Sequence, residues 1–168
     1  MMKKLVMTCI TLIGLNTAMA ADVKASKSLQ LSLTPDIALQ SKTERINGVA
    51  LSIWGENSQY AFAFGFVNGS TGDSSGFSWS YILNYAEDYT GVQWGLANYN
   101  KGSFHGWQSG MVNYAGKLKG LQLGLVNYAE TGNSGVQVGL VNIVKENKWF
   151  SELPEKLAPG MIFVNWSF

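Results

Sequence analysis

GLQLGLVNYAE, from Gly120 to Glu130, decides how this chain is read. Alternate side chains of a β-strand point to opposite faces. One face then carries Leu121, Leu123, Leu125 and Asn127, and the other Gly120, Gln122, Gly124, Val126 and Tyr128. A helix is a poor alternative, because two glycines four apart would each cost about 1 kcal/mol there. The stretch is one of six similar units: AFAFGFVN, FSWSYILN, GVQWGLAN, GWQSGMVN, GLQLGLVN and GVQVGLVN. They end at Asn68, Asn84, Asn98, Asn113, Asn127 and Asn142, spaced 16, 14, 15, 14 and 15 residues apart. Self-similarity at a fixed period is a signature of repeat architecture.

Charges fall between the units. Glu87, Asp88, Lys101, Lys117, Lys119 and Glu130 lie in short linkers beside Gly, Asn, Ser and Thr, which is turn chemistry. Each repeat therefore reads as a strand of about nine residues followed by a turn of about five. Gaps alternating between 14 and 15 favour an up-and-down meander with successive turns at opposite ends of the sheet. A parallel solenoid with one repeat per coil competes, and it would stack the asparagines in a ladder. The fold expected is all-β: an antiparallel up-and-down repeat sheet closed into a small or shallow barrel of 8–9 strands. The clear repeats span 61–144.

Outside the clear repeats the pattern loosens. Leu29, Leu31 and Leu33 suggest a strand ended by Pro35, and Val49, Leu51 and Ile53 alternate in another. In the unit ending at Asn84, Tyr81 replaces the second glycine, and Ser109 interrupts the apolar row of the fourth unit. WFSELPEKL places a short helix near 149–157, and a last strand runs over 161–168. The repeat elements Gly95, Asn98, Gly110, Asn113, Gly124, Asn127, Gly139 and Asn142 are read as structural. Glycine allows close approach of another backbone. Asparagine satisfies backbone groups at strand-to-turn junctions.

The start of the chain has the form of a secretory signal peptide over 1–20. Lys3 and Lys4 precede an apolar stretch from Leu5 to Leu15, and Ala18-Met19-Ala20 is a small-x-small cleavage site. A single β-repeat domain over 21–168 is expected to remain. That apolar stretch is too short to cross a bilayer as a helix. Cys9, the sole cysteine, leaves with the leader, so disulfides play no part in the mature fold. Loss of Lys3 and Lys4 leaves 10 basic against 11 acidic residues. Such balance gives no electrostatic case for nucleic acid or an anionic membrane.

GLQLGLVNYAE, GVQVGLVN and GVQWGLANY resemble the tandem G-x-Q-x-G-L-x-N repeats of bacterial exported surface-repeat proteins. LQLSLTPDI, ALSIWG and APGMIFVNW are similar to their non-repeat parts, extending the likeness from Leu29 to Trp166. The resemblance implies a flower-like all-β fold of antiparallel strands or hairpins around a shallow barrel, and no known enzymatic activity.

No catalytic, cofactor or metal constellation is visible. His105, the single histidine, sits in what reads as a turn, and NGSTGDSSG (68–76) lacks the acidic spacing of a calcium loop. Glu87 and Asp88 form a carboxylate pair on one turn. The glycines sit inside strands, unlike those of a nucleotide-binding turn. Aromatic residues are the better binding candidates: Trp79, Trp94, Trp107, Tyr99, Tyr114 and Tyr128 recur along the sheet. They would suit a glycan, a lipid or another envelope protein. The expected function is a non-catalytic exported protein at the periplasm, cell surface or outer membrane, acting as a binding or structural module. The alternative is a small eight-stranded outer-membrane β-barrel, favoured by strand length and by the terminal alternation of Ile162, Val164, Trp166 and Phe168.

Overall fold

The computed structural model describes residues 26–147 and 160–168. The leader over 1–20 and the helix expected near 149–157 lie outside the described residues. The strands are β1 (Lys27–Thr34), β2 (Ile37–Ala38), β3 (Ile46–Asn57), β4 (Gln59–Trp94), β5 (Ala97–Ser109), β6 (Val112–Leu123), β7 (Val126–Glu146) and β8 (Gly160–Ser167).

These strands stack as a parallel β-solenoid. β1, β3, β4, β5, β6 and β7 pair in sequence, every pairing parallel. Only β2 on β1 and β8 on β7 run antiparallel, and they form the two ends of an open sheet. β4, 36 residues long, winds through more than two coils. The expected antiparallel meander, and with it the closed barrel and its membrane form, is thus overturned. Each 14–15-residue repeat is one full turn of the chain, a strand such as Ala97–Ser109 that turns at a register break between Asn100 and Ser103 and at Gly106 and ends in a bend at 110–111, where the sequence predicts one straight strand and a reversal.

The corner is what the alternation conceals. Backbone bends fall at 95–96, 110–111 and 124–125, within each supposed strand. Before the corner, Val92 and Trp94 point outward and Gln93 inward; after it, Asn98 points inward. The bend shifts the alternation by one residue, so asparagine joins glutamine inside and leaves the apolar row.

Burial is accordingly inverted. Gln93, Gln108, Gln122 and Gln137 are buried, as are Asn84, Asn98, Asn113, Asn127 and Asn142. Trp94 is 52% exposed and Leu125 45% exposed. The apolar interior comes from residues assigned to turns: Tyr89, Phe104 and Leu118 pack with Ala86, Ala115 and Ala129. Tyr89 pairs with Phe104, and Phe104 with Leu118, in register. The Tyr89 and Phe104 rings lie 6.4 Å apart and nearly parallel. A second cluster, Ile46, Ala50, Ala61 and Ala63, fills the N-terminal coils.

Candidate functional site: two amide ladders and the faces they support

Parallel, in-register stacking places each residue over its equivalent in the next coil, and only then can like amides bond in series. Asn84 Nδ2 donates to Asn98 Oδ1 at 2.7 Å. Asn98 donates to Asn113, Asn113 to Asn127, and Asn127 to Asn142, each at 2.8 Å. The same Nδ2 groups also reach backbone carbonyls of the following coil: Asn98 to Ser109 at 2.9 Å, Asn113 to Leu123 at 2.8 Å and Asn127 to Val138 at 2.9 Å.

The glutamines form a second ladder running the opposite way. Gln108 Nε2 donates to Gln93 Oε1 at 2.9 Å, Gln122 to Gln108 at 2.7 Å and Gln137 to Gln122 at 2.8 Å. Each glutamine also crosses its coil to a carbonyl six residues on: Gln108 to Tyr114 and Gln122 to Tyr128 at 3.3 Å, and Gln137 to Ile143 at 3.0 Å. A buried amide without partners costs about 1–3 kcal/mol. Laddering removes that cost at every rung but the last, where Gln137 Oε1 is left unpartnered.

The repeat glycines make room for this stack. A Cβ on Gly124 would collide with the Gly110 carbonyl oxygen and Asn113 Nδ2; one on Gly139 would meet the Gly124 carbonyl and Asn127 Nδ2. Gly106 has φ 139° and lies against the Gly91 carbonyl, a conformation and an approach that both exclude a side chain.

The six aromatic candidates divide between two surfaces. Trp79, Trp94 and Trp107 project from the segment before the corner, with ring centroids 6.4 Å (Trp79–Trp94) and 6.5 Å (Trp94–Trp107) apart. They continue into Phe64, 5.0 Å from Trp79. Tyr99, Tyr114 and Tyr128 project from the segment after the corner and stack at 4.8 and 5.3 Å. Glu130 accepts from both Tyr114 and Tyr128 hydroxyls (3.3 and 3.2 Å) and pairs with Lys145 at 2.9 Å. Its Lys145 hydrogen bond holds the Glu130 carboxyl below the usual range, while burial, then Glu130, raises both tyrosines. Farther along, Tyr85 donates to Glu56 at 2.6 Å and accepts from Trp54 Nε1 at 3.1 Å. Burial first, and Glu56 second, push Tyr85 up to about 12.

Carboxylates singled out in the turns link coils. Glu87 accepts from the Gly72 backbone N–H at 2.5 Å, and Asp88 from that of Ser103 at 2.6 Å. His105 stands in β5, in register with Thr90 and Lys119, not in a turn. It lines a cleft of about 690 Å³ with Tyr60, Asp73, Asp88 and several hydroxyls. An apolar groove of about 560 Å³ opens near β2, between Leu31, Leu33, Leu39 and Ile53. Among the described residues there is no group of three metal-ligating side chains, and no helix is long and apolar enough to cross a membrane.

Comparison with known proteins finds no matching family model, no matching curated protein and no matching solved structure.

Proposed function

We propose that this chain is a non-catalytic exported solenoid that works by surface contact, as a structural or binding module of the cell envelope. The observation that carries the reading is the inverted burial. Beside two small apolar clusters the interior carries two columns of amides that bond one another in series, while large apolar side chains, Trp94, Leu96, Leu125 and Leu140 among them, stand at half exposure or nearly so. Contiguous exposed apolar surface beyond a few hundred Å² marks contact sites. The signal-like leader and the resemblance to exported repeat proteins support the location.

The test is to express the whole chain, separate cytosol from envelope, and weigh the recovered protein. The reading expects a chain beginning at Ala21, outside the cytosol, that can be released without detergent. A chain that keeps Met1 in the cytosol, or one extracted only by detergent, would sink it.

A further inference from the structure

We infer that the polar cleft between Tyr60 and His105 binds a neutral sugar. The inference rests on reading the chain as a binding module and gives that module its ligand class.

The cleft is a gap in one outward column, which runs Tyr60, Ser75, Thr90, His105, Lys119. Thr90 pairs with His105, and His105 with Lys119. Gly91 seats against the Gly76 carbonyl and Gly76 against that of Ala61, which sets Thr90 over Ser75 and Ser75 over Tyr60. Two short hydroxyl side chains therefore lie between a phenol and an imidazole. The walls stand three rungs, about 14 Å, apart. Asp73 and Asp88 line the same space, whose volume is about 690 Å³. Small-molecule sites run from about 300 to 1,000 Å³.

The frame is held before a ligand arrives. Asp88 Oδ1 accepts from the Ser103 backbone N–H at 2.6 Å. The Arg45 guanidinium covers one face of the Tyr60 ring at 3.7 Å and donates to the Asp73 carbonyl at 3.3 Å. Tyr60 itself remains 46% exposed. A site ordered in advance loses less entropy on binding.

The chemistry of the lining matches a polyol. The Asp73 carboxylate has no partner among the described residues, and Asp88 commits one oxygen to Ser103. Carboxylates only accept, so they suit the adjacent hydroxyls of a sugar; the Ser75 and Thr90 hydroxyls and the His105 imidazole can donate in return. The apolar side of a sugar ring can pack on Tyr60. Arg45 at one wall and Lys119 beyond the other offset the two carboxylates, which favours neither an anion nor a cation. No three metal-ligating side chains meet here among the described residues.

Saturation-transfer NMR on the purified whole chain tests this, with the methyl glycosides of glucose, galactose, mannose and N-acetylglucosamine as probes. Transfer to the ring protons of at least one is expected. Thr90→Trp fills the gap and should weaken binding at least tenfold. Asp73→Asn keeps the size but removes a charged acceptor, and should weaken it about tenfold. Met111→Ser, at an exposed bend outside the cleft, should change nothing. Far-UV circular dichroism identifies a variant that fails to fold, and either cleft variant decides the matter without the other. Absence of transfer to all four glycosides overturns the inference. So does binding indifferent to the cleft variants, binding lost in folded Met111→Ser, or displacement of the glycoside by inorganic phosphate. A chain found outside the cytosol that binds no glycoside sinks this inference alone, whereas a cytosolic chain that binds one sinks the export reading alone.

Discussion

In the coils through 61–84 the inward positions hold Ala61, Ala63, Ser78 and Ser80, and the outward ones Phe62, Phe64, Phe66, Phe77, Trp79 and Tyr81. In the coils through 106–142 the inward positions hold Gln108, Gln122, Gln137 and the asparagines, and the outward ones are mostly Leu, Val and Met. Bulk has been exchanged across one backbone. Where the interior is narrow, hydroxyls serve as spacers, as when Ser78 donates to Asn84 at 2.8 Å, and volume is carried outside as stacked rings. Where the interior admits an amide, the amides bond in series and the outer row shrinks to aliphatic residues. The common element is the Asn column, which runs unbroken from Asn68 to Asn142 through both halves.

If that column is what joins the halves, cutting it should cost most. Asn113→Ala removes the donation to Asn127 and the acceptance from Asn98, along with the bond to the Leu123 carbonyl. Unsatisfied buried groups and lost cooperativity should together destabilise the fold by about 3–5 kcal/mol. Urea denaturation measures this; a loss under about 1 kcal/mol would mean that the ladder contributes little.

Two leucines sharpen the contrast between inside and outside. Leu118, flanked by Lys117 and Lys119, is 0% exposed, whereas Leu125, in the apolar row of the repeat, is 45% exposed. Leu118→Ala should cost about 2–4 kcal/mol and Leu125→Ala under about 1. The reverse ranking in denaturation midpoints would restore the sequence-based view of which leucine faces the core.

The smallest effect separates the two outer faces. Tyr85 is pushed up to about 12 in the fold, so the folded state holds its proton where the unfolded chain, near 10, releases it. Its contribution is fully present below about pH 10 and is lost as pH rises through 12. Tyr85→Phe should flatten the fall in denaturation midpoint across that window. An unchanged slope would detach the Trp54–Tyr85–Glu56 cluster from stability.

Strand content, the repeat period and the placement of charges between repeats were all legible in the residues. Direction was not. A nine-residue alternation through Gly124-Leu125 looks straight, and only the corner reveals that Asn127 changes sides. One signal was present. Gln and Asn recur at fixed positions in successive units, and an antiparallel meander would set the start of one unit beside the end of the next. Parallel stacking alone lets each meet its own kind, as Gln122 meets Gln108 and Asn127 meets Asn113. The core is hidden for a related reason: Phe104 and Leu118 sit among charged and small residues, so local polarity masks them. The aromatic candidates are legible individually, but their division into a tryptophan face and a tyrosine face also depends on the corner.

Parallel stacking is tested most directly by the distance between equivalent residues in successive coils. Tyr99 and Tyr114 are such a pair, with ring centroids 4.8 Å apart. Spin labels on Tyr99→Cys and Tyr114→Cys, in a chain lacking Cys9, should show strong dipolar broadening, as expected for backbones one rung, about 4.8 Å, apart. In an antiparallel meander the two positions fall at opposite ends of neighbouring nine-residue strands, about 30 Å apart. Sharp, uncoupled spectra from the folded double variant would contradict the solenoid.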